Sequence, residues 1–362
     1  MKKNNIILQL ITALVLMACS AETVEREKAD RVSEELIKFE APTFHKIQTS
    51  TRGSVYTDIT DLQKAATDIR VTAKYTSDHS TVYINNERLQ YKDGVWTINK
   101  YFWIPDTHLD FFAEVVAGNG DMTNFTSAKS NITNYTFDYT VPTDISKQYD
   151  YIYATSLNKY KEDIPLNFTH ALSQIVFEAS VSENWTVYIQ SITIKNVLSK
   201  GTFTYKNEAE RGNEWSNQQT YTDYPFTLST PKVFNGASAA ERLLAVNDYR
   251  LVLLPQTLTP WVLGTSKETI ATADANHHSY LEISCRIKNN ADDSWYAGSS
   301  DYSKIYTPLS GTWEPNKKYT YTLQFGAGYN SSGDKTIDQV TMSVKIDDWT
   351  TGETGSGMAE FD

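Results

Sequence analysis

The sequence predicts an all-β protein, built as two antiparallel β-sandwich domains in series. Apolar and polar residues alternate with period two along most of the chain, the pattern of strands with one buried and one wet face. Helix-period patterning is thin. Polar positions opposite the apolar stripes are mostly Thr, Ser, Lys, Asp and Glu, which suits antiparallel sheets rather than parallel sheets buried on both faces.

The first predicted strand covers residues 36–41, where Ile37, Phe39 and Ala41 alternate with Lys38 and Glu40. Next, Ile69, Val71, Ala73 and Tyr75 alternate with Arg70, Thr72 and Lys74. Lys92-Asp93-Gly94-Val95 supplies a hairpin turn, because Asp-Gly accepts the positive φ angles such a turn needs. Leu109, Phe111, Ala113 and Val115 form one stripe, and Tyr135, Phe137, Tyr139 and Val141 form another. The second half opens with Ile175, Phe177, Ala179 and Val181, then Val187 and Ile189. It continues with Leu281, Ile283, Cys285 and Ile287, then Tyr319, Tyr321, Leu323 and Phe325, and ends on Val340, Met342, Val344 and Ile346. Residues 61–67 and 167–174 predict short helices. A polar stretch holding Lys159, Lys161, Glu162 and Asp163 marks a domain boundary. Residues 36–162 are therefore expected to form the N-terminal sandwich, and residues 163–362 the C-terminal one with a Gly-rich tail.

Before the first strand the chemistry changes. Lys2 and Lys3 precede an apolar run over residues 6–17, too short to span a bilayer and shaped like the core of a secretory signal. It ends on Leu16-Met17-Ala18-Cys19, which resembles the lipobox of bacterial lipoproteins. The resemblance implies a signal peptide over residues 1–18, cleavage before Cys19, and acyl chains on Cys19. Several chains at about 0.8 kcal/mol per buried methylene give stable anchoring. Residues 19–35 are polar and mixed in charge, the composition of a tether.

The 362 residues carry a formal net charge of −11, which argues against nucleic acid and anionic lipid as partners. With Cys19 acylated, Cys285 has no partner for a disulfide. Its place on an apolar strand face reads as a packed thiol, not a nucleophile. The six histidines (His45, His79, His108, His170, His277 and His278) show no zinc-type spacing. No nucleophile elbow, phosphate loop or EF-hand loop occurs, and no cofactor or metal is expected. Asp347 and Asp348 are adjacent at a strand end and do not form a glycosidase pair. Trp96, Tyr101, Phe102 and Trp103 read as core packing rather than a sugar platform. No enzyme activity is expected.

Several stretches together carry a family resemblance. They include Gly94-Val-Trp-Thr-Ile-Asn-Lys-Tyr-Phe-Trp-Ile-Pro105 and Leu166-Asn-Phe-Thr-His-Ala-Leu-Ser-Gln-Ile-Val-Phe177. Later come Leu254-Pro-Gln256, Gly311-Thr-Trp-Glu-Pro-Asn-Lys-Lys-Tyr-Thr-Tyr321 and Val344-Lys-Ile-Asp-Asp-Trp349. With the lipobox, this ordered set resembles the fimbrillin (Mfa-like) family of Bacteroidales lipoproteins, subunits of type V pili. The resemblance implies transthyretin-like sandwiches and export to the outer membrane and cell surface as a lipid-anchored precursor. It further implies that a trypsin-like protease removes an N-terminal segment, and that other pilin subunits then bind by donor-strand exchange. An adhesion target on host or bacterial surfaces is also implied. The removable strand would carry Ile37, Phe39 and Ala41 inward. Arg52 is the first candidate for the cut and Lys46 the second, both in polar sequence beyond that strand. The alternative reading is a surface glycan-binding lipoprotein, or an anchor or tip subunit that does not polymerise.

Overall fold

A computed structural model describes residues 35–44, 69–98, 100–115, 135–243, 251–325, 328–329, 331–333, 335–337, 341–348 and 358–359. Nearly all regular structure in them is β. The first part of the chain contributes β1 (Thr43–Phe44), β2 (Ile69–Tyr75), β3 (Val82–Arg88), β4 (Gln90–Lys92) and β5 (Val95–Thr97). It continues with β6 (Leu109–Val115), β7 (Thr136–Thr140), β8 (Ile152–Lys159) and β9 (Asn167–His170). Six of these pair in the order β1-β9-β8-β6-β2-β3. On β2 the alternation sorts faces as expected, with Ile69, Val71 and Ala73 buried and Arg70, Thr72 and Lys74 half-buried. The Asp93-Gly94 turn joins β4 to β5 with φ of 53° and 83°, the left-handed pair this hairpin type requires.

The remainder contributes β10 (Ser173–Val181), β11 (Trp185–Thr204), β12 (Trp215–Asn235), β13 (Glu241–Arg242), β14 (Leu251–Leu253) and β15 (Gln256–Leu258). One α-helix among the described residues, α1 (Ile270–Ala275), starts at Thr269, whose hydroxyl accepts from the Thr272 N–H. Then come β16 (Tyr280–Asn289), β17 (Trp295–Ala297), β18 (Ser303–Pro308), β19 (Gly311–Trp313) and β20 (Lys317–Phe325). The last elements are β21 (Gly328–Tyr329), β22 (Lys335–Ile337), β23 (Thr341–Asp348) and β24 (Met358–Ala359). One sheet runs β13-β10-β20-β23-β24, with β14 also on β10. Another runs β12-β11-β16-β18-β21-β22, with β17 on β16 and β7 on β11. Between them lie Phe177 of β10 and Tyr321 and Leu323 of β20, against Val187 and Ile189 of β11 and Ile283 and Cys285 of β16. No helix among the described residues is long and apolar enough to cross a membrane.

One expectation needs correction, and two details add to the predicted all-β, mainly antiparallel fold. Residues 167–174 are not helical: they form β9 and the start of β10. Phe168 is buried in the first core, and the backbone of this stretch pairs with β1 and β8, so sheet pairing overrides a weak local helix preference. The pairing is not wholly antiparallel, since β10 runs parallel to β20 and β1 parallel to β9. Finally, the two hydrophobic cores draw on residues from both sides of position 163. Ile164, Leu166 and Phe168 pack with the first sheet, whereas Phe137, Tyr139, Tyr149 and Tyr151 pack with the second core. The chain crosses over at β7 and returns at β8, which a local charge cluster at Lys159–Asp163 does not reveal. The predicted helix over residues 61–67 lies outside the described residues.

Candidate functional site

Residues 35–43 form an extended segment wedged into the first core. Its backbone is bonded on both sides. On one side, Ile37 N–H donates to Tyr101 C=O (3.0 Å), Phe39 N–H to Trp96 C=O (3.1 Å), and Trp103 N–H to Glu35 C=O (3.0 Å). On the other, Glu40 N–H donates to Ile164 C=O (2.9 Å), Ile164 N–H to Lys38 C=O (3.0 Å), and Thr43 N–H to Leu166 C=O (3.0 Å). The first side is antiparallel and the second parallel. The segment thus fills a slot between two strand edges, leaving neither edge exposed.

Ile37 and Phe39 point inward as the alternation predicts, at 0% and 4% exposure. Phe39 meets Phe111 edge to face at 5.9 Å, a favoured aromatic geometry. Around them lie Val71 of β2, Phe111 of β6, Ala154 of β8 and Ile164. Ala41 departs from the expectation: it is exposed, and Pro42 is buried instead. Beyond Phe39 the backbone leaves its antiparallel partner and continues only along the parallel side, so strict alternation ends there. Cys19, Lys46 and Arg52 lie outside the described residues.

The Trp96–Trp103 stretch is part of this same slot. Trp96 and Trp103 are buried, Tyr101 and Phe102 half-buried, and Trp103 stacks edge to face on Phe111 at 6.0 Å. Their role is to line and bond the first segment. Cys285 is a buried free thiol, and burial pushes its pKa up to about 12. At the chain's end, β23 pairs with β20 from Thr341 to Asp348, and Val344 is buried in the second core.

Sequence reading missed two polar clusters. Asp110 is 2% exposed, and its carboxylate accepts from Tyr135 OH (2.6 Å), Asn158 N–H (2.7 Å) and Thr76 OH (2.9 Å). His79 Nδ1 lies 2.8 Å from Tyr135 Oη and 3.3 Å from Asp110. Burial, reinforced by the bond to Asp110, pushes the Tyr135 phenol well above its ordinary range. Elsewhere, Asp150 and His170 bond at 2.8 Å with both side chains 1% exposed. The signal for each was an acid inside an apolar run: Leu109-Asp110-Phe111 and Tyr149-Asp150-Tyr151. Buried acids of this kind need partners, and the fold supplies them.

Solved structures align with most of the chain. A fimbrial protein from Bacteroides vulgatus is 14% identical, with a TM-score of 0.52, covering 87% of this chain and all (100%) of that one. At that identity the likeness shows a common fold. A proposed cell adhesion protein from Bacteroides ovatus is 12% identical with a TM-score of 0.44, covering 88% of this chain and 99% of that one. One from Parabacteroides distasonis is 9% identical with a TM-score of 0.47, covering 89% of this chain and 98% of that one. No curated protein sequence matches the chain. The fimbrillin-like family model matches residues 52–349, most of the chain. The chain therefore belongs to the fimbrillin-like family.

Proposed function

We propose that this chain is a structural and adhesive pilus subunit, exported as an outer-membrane lipoprotein anchored through Cys19. A trypsin-like protease cuts it beyond the first segment, after Arg52 or, as the second candidate, Lys46. The observation that carries this reading is the segment holding Ile37 and Phe39. It is bonded along both edges, buries two large side chains, and is separated in sequence from β2 by residues 45–68.

The physical consequence of such a cut follows from the geometry. Burial of Ile37 and Phe39 stabilises the precursor by roughly 1.5–3 kcal/mol each. Their removal leaves a slot with apolar walls and two rows of unpaired backbone groups. Both are costly in water, and both are satisfied at once by a strand from another subunit with apolar side chains at alternate positions. Lipid, tether and first segment leave together, so release from the membrane and opening of the slot are one event. The family match begins at Arg52, so residues 35–43 lie before it.

The test is limited trypsin digestion of the purified precursor. The expected result is a new N-terminus at Gly53 or Ile47, followed by a ladder of oligomers on a denaturing gel. A cleaved chain that stays monomeric, or surface-assembled polymer that still begins at Cys19, overturns the reading.

A further inference from the structure

The first segment does not run along its neighbours as a regular strand, and the irregularity limits what can replace it. Phe39 sits opposite Ile164 and Thr43 opposite Asn167, both in parallel. Four residues along the segment therefore match three along its neighbour. The hydrogen bonds carry the same offset. The acceptors, Ile164 C=O and Leu166 C=O, are two residues apart, yet their donors, Glu40 N–H and Thr43 N–H, are three apart. One extra residue is inserted on the segment, which is a β-bulge.

Pro42 accounts for where the bulge falls. A regular parallel strand bonded through residue 40 donates next from residue 42. Proline has no N–H, so the donor moves on to Thr43. The shift exchanges the two faces: Ala41, due inward by alternation, is exposed, and Pro42 is buried instead. Thr43 is exposed, and its hydroxyl donates to the Asn167 side-chain oxygen. Past Phe39 the antiparallel neighbour is gone, so the phase is set by the parallel edge alone, with its buried Ile164, Leu166 and Phe168. The inward positions are thus 37, 39 and 42, where an unbroken strand buries 37, 39 and 41.

We propose that the vacated slot selects a segment of another pilus subunit that repeats this phase. Such a segment has two large apolar residues at alternate positions, then proline three residues after the second, and runs in the direction of residues 35–43. This rests on the strand-exchange reading above and narrows it to a partner of defined pattern. Direction matters because the segment lies antiparallel to the backbone at Trp96 and parallel to that at Ile164, and a reversed strand meets both edges with its polarity inverted. Phase matters because a strand with an N–H in place of Pro42 bonds Leu166 C=O one residue early. The side chain before it then turns inward where the Pro42 ring lies, and everything beyond is out of register with Asn167.

The experiment uses the trypsin-cleaved full chain, with the protease inhibited and the clipped segment removed by gel filtration in dilute urea. Binding of fluorescent peptides is followed by anisotropy. The first peptide has the sequence of residues 35–43. The second carries Ala41→Val and Pro42→Thr, which restores unbroken alternation, and the third has the first sequence in reverse order. The first is expected to bind, and the other two to bind about tenfold more weakly or less. A second or third peptide bound as tightly as the first overturns the proposed selection and leaves strand exchange standing. Failure of the first peptide to bind overturns the strand-exchange reading and this proposal with it.

Discussion

The two cores are closed in different ways. The second is sealed by long, mutually paired strands, β10 with β20 and β11 with β16, whose registers run over eight to ten residue pairs. The first has shorter strands, and one seam of it is filled by residues 35–43, a segment far from its neighbours in sequence. Hydrophobic burial and backbone pairing act alike in both. What differs is connectivity: loss of residues 35–43 would take two buried side chains, Ile37 and Phe39, from the first core and none from the second. A fold can be made conditional without weaker chemistry, simply by drawing part of a core from a terminal segment.

The sharpest test of this contrast is Phe39→Ala in the uncut precursor. Removing a buried Phe costs about 3–5 kcal/mol, and Ile37→Ala about 2–5 kcal/mol. Amide exchange should rise in β2, β6 and β8 while β10 and β20 stay protected. Cys285 offers a second readout: it is fully buried in the second core, so its labelling by a thiol reagent should stay as slow as in the parent. Equal loss of protection in both cores, or fast thiol labelling, breaks the comparison. After trypsin cleavage, variant and parent should become indistinguishable.

Asp150→Ala probes how the cores are joined. Asp150 sits among tyrosines of the second core, and its partner His170 lies on β9 of the first sheet. Loss of a buried partner costs about 1–3 kcal/mol. Here protection should fall in both cores together; a change confined to one would show that the pair is not a link. A smaller effect is expected at Ala41, which is exposed: Ala41→Ser should change stability by less than about 0.5 kcal/mol. A larger loss would mean that the slot extends past Phe39.

The smallest effect is local and pH-dependent. In the turn between β2 and β3, the Thr81 hydroxyl and the Ser80 and Thr81 N–H groups bond the Asp78 carboxylate. These bonds hold its pKa down at about 2 instead of 3.8. A depressed folded pKa means that the contribution is present above pH 3.8 and is lost as pH falls through about 2. The Ser80 and Thr81 amides should therefore be protected, relative to the intrinsic exchange rate at each pH, at pH 5 and lose that protection toward pH 2. Protection factors unchanged across that window would remove Asp78 as the cause.

Much of this was legible in the chain. The stripes at Ile69–Tyr75 and Leu109–Val115 are strands with the predicted residues inside, and Asp93-Gly94 is the predicted hairpin turn. Ile37 and Phe39 were also identified correctly as inward-facing. Ala41 was not, because alternation assumes one continuous partner and the segment loses one of its two after Phe39. Residues 167–174 misled for a related reason: their helix preference is local, whereas their pairing with β1 and β8 is not. The shallow recess lined by Phe112, Tyr135, Tyr151 and Tyr205 had no sequence signature at all, since Phe112 comes from β6 and the three tyrosines flank β7, β8 and β11.

The sequence by itself determined the all-β class, the inward faces of most strands, the inert character of Cys285 and the family. Each of these depends on residue type at short range: period-two burial, a turn residue's φ, a thiol on an apolar face. Only the tertiary structure decided which edges the first segment fills, where the chain crosses from one core to the other, and how Asp110 holds Tyr135 over the recess. Those depend on which distant backbones pair and which buried polar groups meet. That is a question of long-range closure, and no local period encodes it.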